Sequence, residues 1–299
     1  MFSGSIPALP TPFRNGGIDD GALRDHVSWL IEQGSSGLAA CGTTGEAASL
    51  SPDEHRRVLE ICVSESDGRV PVIAGCGTAN TAATLEHIRH ARDSGAAAAM
   101  VMPPYYVRPG QRGVIAHFEE LAIHGGLPIV LYNVPARTGT DILPETMGHL
   151  VAAHPKTFVA VKDATGAIDR ASSQRAACGP DFCQLSGNDE TALGFMASGG
   201  SGSISVTANV APRLCADFQD ACRRGDFARA LDLQDRLWAL NRAMFAEPSP
   251  GPLKYAMSKV VAGYSAHLRL PMVGIDAETM RVVDRSLEMT LQPEPPSTR

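Results

Sequence analysis

The sequence predicts an α/β fold, a closed (β/α)8 TIM barrel with a C-terminal helical extension, and three observations predict it. Short apolar runs alternate with amphipathic helical patterns in eight successive units. Eight such units are what a closed barrel requires, whereas a doubly wound sheet seldom needs so many. The length of 299 residues suits one barrel domain with an addition. Residues of chemical interest also fall where the apolar runs end, which is where a barrel gathers its active site.

The units follow in order. The first run, 6–9, ends in Pro10-Thr11-Pro12, and Asp19-Asp20 opens a helix with Leu23, Val27, Leu30 and Ile31 at helical spacing. The run 37–40 leads into Cys41-Gly42-Thr43-Thr44-Gly45-Glu46, after which Ser51-Pro52-Asp53-Glu54 supplies an N-cap, an N1 proline and an acidic first turn. Strands are predicted at 70–74, 96–102 and 128–132, with helices at 81–94, 110–123 and 143–153. The sixth run, 158–162, precedes a helix from about 168. The seventh, 182–185, ends in Ser186-Gly187-Asn188-Asp189, which caps a short helix, and the eighth, 202–206, precedes a helix at 212–222. The barrel therefore occupies 1–224. Helices at 226–246, 254–261 and 277–289, joined by the stiff Glu247-Pro248-Ser249-Pro250-Gly251-Pro252, form an extension over 225–291. The tail 292–299 carries no apolar anchor and is expected to be disordered.

Composition narrows the function. A net charge of −6 and a pI near 5.8 argue against nucleic acid or an anionic membrane as partner. Seven cysteines, an odd number with no CxxC pair, are expected to be reduced thiols of a cytoplasmic protein. No secretory leader and no apolar run of membrane-spanning length is visible, so a soluble protein is expected. His87 and His90 lie three apart on a helix without an evident third ligand, and no HExxH is present, so no metal is expected. Cys215 and Cys222 read as core packing. Gly199-Gly200-Ser201-Gly202 precedes its strand, unlike the phosphate loops of barrels, which follow theirs.

The odd residue is Lys162, at the end of the apolar run Phe158-Val159-Ala160-Val161. Burial disfavours its ammonium form and should lower its pKa, and a neutral amine attacks carbonyl carbon. The plainer reading is a strand-end lysine that snorkels to solvent. Taken singly, Tyr105-Tyr106 reads as packing, Arg137 as a surface ion pair and Thr43-Thr44 as a loop that starts a helix. Their co-occurrence at the ends of different strands, with Lys162 and Tyr132 among them, favours a site.

Gly42-Thr43-Thr44-Gly45-Glu46, Pro103-Pro104-Tyr105-Tyr106, Tyr132-Asn133-Val134-Pro135-Ala136-Arg137-Thr138-Gly139, Val161-Lys162-Asp163-Ala164-Thr165-Gly166 and Ser203-Ile204-Ser205-Val206-Thr207-Ala208-Asn209 resemble, in order, the dihydrodipicolinate synthase family of the N-acetylneuraminate lyase superfamily. The likeness runs from residue 1 to about 291. It implies a lyase of lysine and diaminopimelate biosynthesis that condenses pyruvate with aspartate semialdehyde. In that scheme Lys162 forms an imine with pyruvate, and Tyr132 is the general acid and base. Thr43 links Tyr132 to Tyr106 of a neighbouring subunit, within a homotetramer built as a dimer of dimers. Thr44 and the turn hold the pyruvate carboxylate, Arg137 holds that of the semialdehyde, and Gly187 and the Ile204 carbonyl line the pyruvate pocket. No cofactor is implied, because the lysine imine is itself the electron sink.

The sequence departs from relatives inhibited by lysine at Ala47, Pro52, Ala79 and Ala83, although His55 and Tyr105 remain, and weak or absent lysine inhibition is expected. Ser249 stands where the family pattern has asparagine. Two other readings share the motifs: a pyruvate-dependent aldolase or dehydratase of a sialic or keto-deoxy sugar acid, and a catalytically silent barrel that binds a keto acid. Arg137 favours the synthase, since a semialdehyde acid presents a carboxylate where a sugar presents hydroxyls.

Overall fold

The structure, a computed structural model, describes residues 2–292; the rest of the tail predicted to be disordered, 293–299, lies outside the described residues. Eight parallel strands form one sheet: Gly4–Pro7, Leu38–Ala40, Val72–Gly75, Ala98–Val101, Ile129–Asn133, Phe158–Asp163, Cys183–Ser186 and Gly202–Ser205. The first pairs with the eighth, and each strand from the second to the seventh pairs with its successor. The Ala8–Ala39 bridge and the Leu9 amide, 2.9 Å from the Ala39 carbonyl, close the remaining gap. The expected barrel is therefore present.

Helices cover its outside, most of them at the predicted places: Asp20–Glu32, Pro52–Ser66, Thr81–Asp93, Gln111–His124, Pro144–Ala153, Arg170–Cys178, Ala192–Ala197 and Pro212–Arg223. Local chemistry starts several of them. The Asp19 side chain accepts from the Ala22 amide, and Ser51 and Glu54 form a reciprocal capping box around Pro52. Two features went unforeseen, the hairpin Phe13–Arg14 with Gly17–Ile18 and the short helix Pro135–Thr138. Both lie in stretches too brief for a periodicity to register. Helices Phe227–Ala243, Gly251–Val260 and Ala277–Leu291 make the extension, and the second begins inside the proline-rich stretch read as a linker.

Strand alternation sorts the core. Val130 and Tyr132 face an inner cluster with Ile6, Ala98, Ala160 and Ile204, while Ile129, Leu131 and Val161 face an outer cluster with Phe118 and Leu150. Lys162 follows Ala160 by two residues, so it too faces inward. A further cluster unites Phe218, Leu233, Leu240, Met257 and Val283, fastening the extension to the last barrel helices. The third strand must end in glycine, since a Cβ on Gly75 would stand 2.1 Å from the Cys41 carbonyl oxygen. That close approach brings the loop after the second strand over the barrel mouth.

Candidate active site

Tyr132 and Lys162 are direct partners in the register of the fifth and sixth strands, both on the inward face near the carboxyl ends. The Lys162 Nζ lies 4.4 Å from the centre of the Tyr132 ring. Lys162 is only 6% exposed, and among the described residues no carboxylate lies within ion-pair distance of it. An enclosed lysine whose amine is tied up in no ion pair is available to act as a nucleophile. Gly187 makes room for it: a Cβ there would come within 3.0 Å of the Lys162 Cε and 2.8 Å of the Ala164 Cβ.

The next residue on each strand holds this geometry. Asn133 and Asp163 are also register partners. Asp163 accepts from the Thr165 amide at 2.9 Å, Gln174 at 2.6 Å and Arg170 at 3.0 Å. Arg170 reaches on to Asp141 at 2.9 Å and the Ile142 carbonyl at 2.8 Å, while Asn133 donates to Asp141 at 2.8 Å. The carboxylate adjacent to Lys162 is thus turned away and fully engaged, and the loop bearing Arg137 is pinned to the sixth strand. Sequence reasoning missed this network. Its signal was available, because Asn133 and Asp163 each follow a proposed catalytic residue by one position.

Above the strand ends is a cavity of about 400 Å³ whose wall includes Thr43, Tyr105, Tyr132 and Arg137. Arg137 is exposed on the short helix Pro135–Thr138, free to meet an anionic ligand. Thr43 and Tyr132 share the wall, but no hydrogen bond joins their side chains. Among the described residues, neither the Thr43 nor the Thr44 amide donates to a main-chain carbonyl. The turn therefore keeps donors for an anion. Thr44 is buried, as is Ile204, which packs in the inner cluster with Tyr132. Lys162, Thr44, Gly187 and Ile204 are not in the cavity wall.

Tyr106 is not in that wall. Its backbone is left-handed, with φ at 72°, and its side chain is 92% exposed, away from its own chain's cavity. The wall also carries His55 and His87, stacked 4.2 Å apart at 15°. Burial holds His55 down to about 4 and lowers His87, favouring the neutral form of both rings. His87 and His90, considered above as a metal pair, do different work: His90 contacts Ser94 at 3.1 Å. Among the described residues no group of three metal-ligating side chains occurs. All seven cysteines are free, with Cys215 and Cys222 buried as packing residues.

The extension completes the wall with Ser249 and Arg269 through Met272. Ser249 is buried there. Glu46, itself part of the wall, forms a buried ion pair with Lys254. Neither partner was singled out from the sequence as part of a site.

The Dihydrodipicolinate synthetase family model matches residues 1–290. A 4-hydroxy-tetrahydrodipicolinate synthase of Rhizorhabdus wittichii is 56% identical over 287 residues, 96% of this chain and 98% of that protein. One from Novosphingobium aromaticivorans is 55% identical over 96% of this chain and 97% of that protein. Among solved structures, dihydrodipicolinate synthase from Aquifex aeolicus superposes with a TM-score of 0.93 at 36% identity, covering 96% of this chain and 97% of that one. The synthase from Methylacidiphilum fumariolicum gives 0.94 at 32% identity over 97% and 96%. With the barrel, the unpaired inward lysine and near-complete coverage in agreement, the chain belongs to the dihydrodipicolinate synthetase family.

Proposed function

We propose that the chain is a lysine-imine lyase condensing pyruvate with L-aspartate 4-semialdehyde to 4-hydroxy-tetrahydrodipicolinate, a step of diaminopimelate and lysine biosynthesis. The observation that carries this reading is Lys162: buried, in register with Tyr132 and without a counter-charge, in a chain of this family. Its amine adds to the keto carbon of pyruvate, and loss of water gives the imine. The imine draws electrons from the methyl group, which loses a proton and becomes an enamine nucleophile. That carbon attacks the aldehyde of the second substrate. The substrate's own amine then displaces Lys162 from the imine carbon, closing the ring and freeing the enzyme.

Tyr132 is the group placed to carry protons around the imine. Thr43 connects it to Tyr106 of a second subunit; the outward set of Tyr106 supports this, because an exposed tyrosine on a left-handed turn is available to a neighbour. A homotetramer built as a dimer of dimers follows. Thr44 and the turn amides receive the pyruvate carboxylate, Arg137 the semialdehyde carboxylate, and Gly187 and the Ile204 carbonyl line the pyruvate end. The barrel, 1–224, carries the chemistry and the extension, 225–291, closes the mouth. Among the described residues no helix is long and apolar enough to cross a membrane, and seven free thiols suit the cytoplasm.

Borohydride reduction in the presence of pyruvate, followed by peptide mass spectrometry, tests the reading. A pyruvyl adduct on Lys162 is expected, and its absence would sink it. Turnover with aspartate semialdehyde, set against cleavage of sialic or keto-deoxy sugar acids, separates the synthase from an aldolase.

A further inference from the structure

Residue 46 ends the Gly42-Thr43-Thr44-Gly45-Glu46 turn in the left-handed region, with φ at 52°, a conformation that a side chain other than glycine adopts only when something holds it. What holds it comes from the far end of the chain. The Glu46 carboxylate, itself buried, is ion-paired with the Lys254 amine and accepts the Arg269 amide at 3.1 Å, across 223 residues of sequence. Lys254 is 0% exposed; its amine also donates to the His267 carbonyl at 2.9 Å and lies 4.2 Å over the Phe13 ring. The Arg269 guanidinium in turn grips Glu54 at 2.5 and 2.7 Å.

A buried ion pair of this kind is poor value for stability, since desolvating two charges offsets their attraction. Its placement suggests another use. We infer that the Lys254–Glu46 pair is a positioning device through which the C-terminal extension fixes the Thr43-Thr44 turn in the shape that receives the keto acid's carboxylate. Lys254 lies outside the cavity wall, and Glu46, though in that wall, has its carboxylate engaged by Lys254 and the Arg269 amide, so both act through the turn amides. The inference rests on the proposed reading that this turn binds that carboxylate.

The test is borohydride trapping of Lys162, titrated with pyruvate and, in parallel, with pyruvamide, a neutral keto compound of the same size. In Lys254→Met the half-saturating pyruvate should rise about tenfold, the loss of one well-aimed hydrogen bond to a charged group. The limiting trapping rate and the half-saturating pyruvamide should stay within about twofold, well below that shift. Glu46→Gln, nearly isosteric, should give the same split, and serves alone if the methionine variant does not fold. The double variant should be no worse than either single one, as expected for residues acting as a unit. Unchanged half-saturation with pyruvate, or equal weakening of both ligands, would overturn the inference while the wild-type adduct still supported the functional reading. No wild-type adduct would remove both.

Discussion

The molecule buries two lysines in two regions, and they are built for opposite ends. Lys162, on the sixth barrel strand, has the Tyr132 ring and Gly187 beside it and no carboxylate in reach. Lys254, on the helix Gly251–Val260, is enclosed with Glu46, the His267 carbonyl and an aromatic ring. Burial alone therefore does not make a nucleophile. The two differ in their company: Lys254 has a carboxylate partner, and among the described residues Lys162 has none. In the barrel, Asp163 could have supplied that counter-ion, being next in sequence. Alternation along the strand and the hold of Arg170 and Gln174 turn it away.

Several experiments would break or sharpen this contrast. The largest effect belongs to Lys162→Ala, which should lower turnover by on the order of 10⁴-fold or more and abolish the borohydride adduct. An adduct surviving on Lys254 would show that pairing does not protect that amine. Arg137→Ala should leave trapping by pyruvate near wild type while reducing kcat/KM for the semialdehyde about 100-fold, the loss of a bidentate carboxylate contact; loss of the adduct itself would show a different role.

The paired lysine has its own signature in pH. Burial lowers the Lys254 pKa from 10.5 to about 8, with Glu46 working against the fall. Between those values the unfolded chain holds a proton that the folded chain has released, so this group makes stability rise with pH from about 8 to 10.5. The difference in unfolding free energy between wild type and Lys254→Met should change across that window by about 3 kcal/mol at most. A flat difference, measured by denaturant unfolding at several pH values, would mean that the amine is less enclosed than its contacts imply. Gly187→Ala is the mildest change: a methyl group pressed against the Lys162 side chain should slow trapping about tenfold, with little effect on the Lys254 region. Trapping at the wild-type rate would show that the reactive amine does not need that space.

Much of this was legible in one dimension. Eight apolar runs, each followed by a helical period, specified the barrel, and the run ends and the loops after them drew attention to Lys162, Tyr132, Thr43 and Arg137. Helix starts at Asp19 and Ser51 were readable because capping is local chemistry. The hairpin at 13–18 and the helix Pro135–Thr138 were not, since two to four residues carry no periodicity. Tyr106 was placed correctly on its loop, but its outward direction depends on a backbone angle that no sequence pattern states.

The sequence by itself determined the fold and the face on which each strand residue lies, and it marked Lys162 as the odd residue of its strand, because those follow from hydrophobic period and residue type. Tertiary structure alone decided which lysine goes unpaired. Glu46, Lys254 and Arg269 are unremarkable charged residues until the closed barrel and its extension bring them together. An ion pair between distant segments leaves no local periodicity and no cap, so its energy and its purpose exist only in three dimensions.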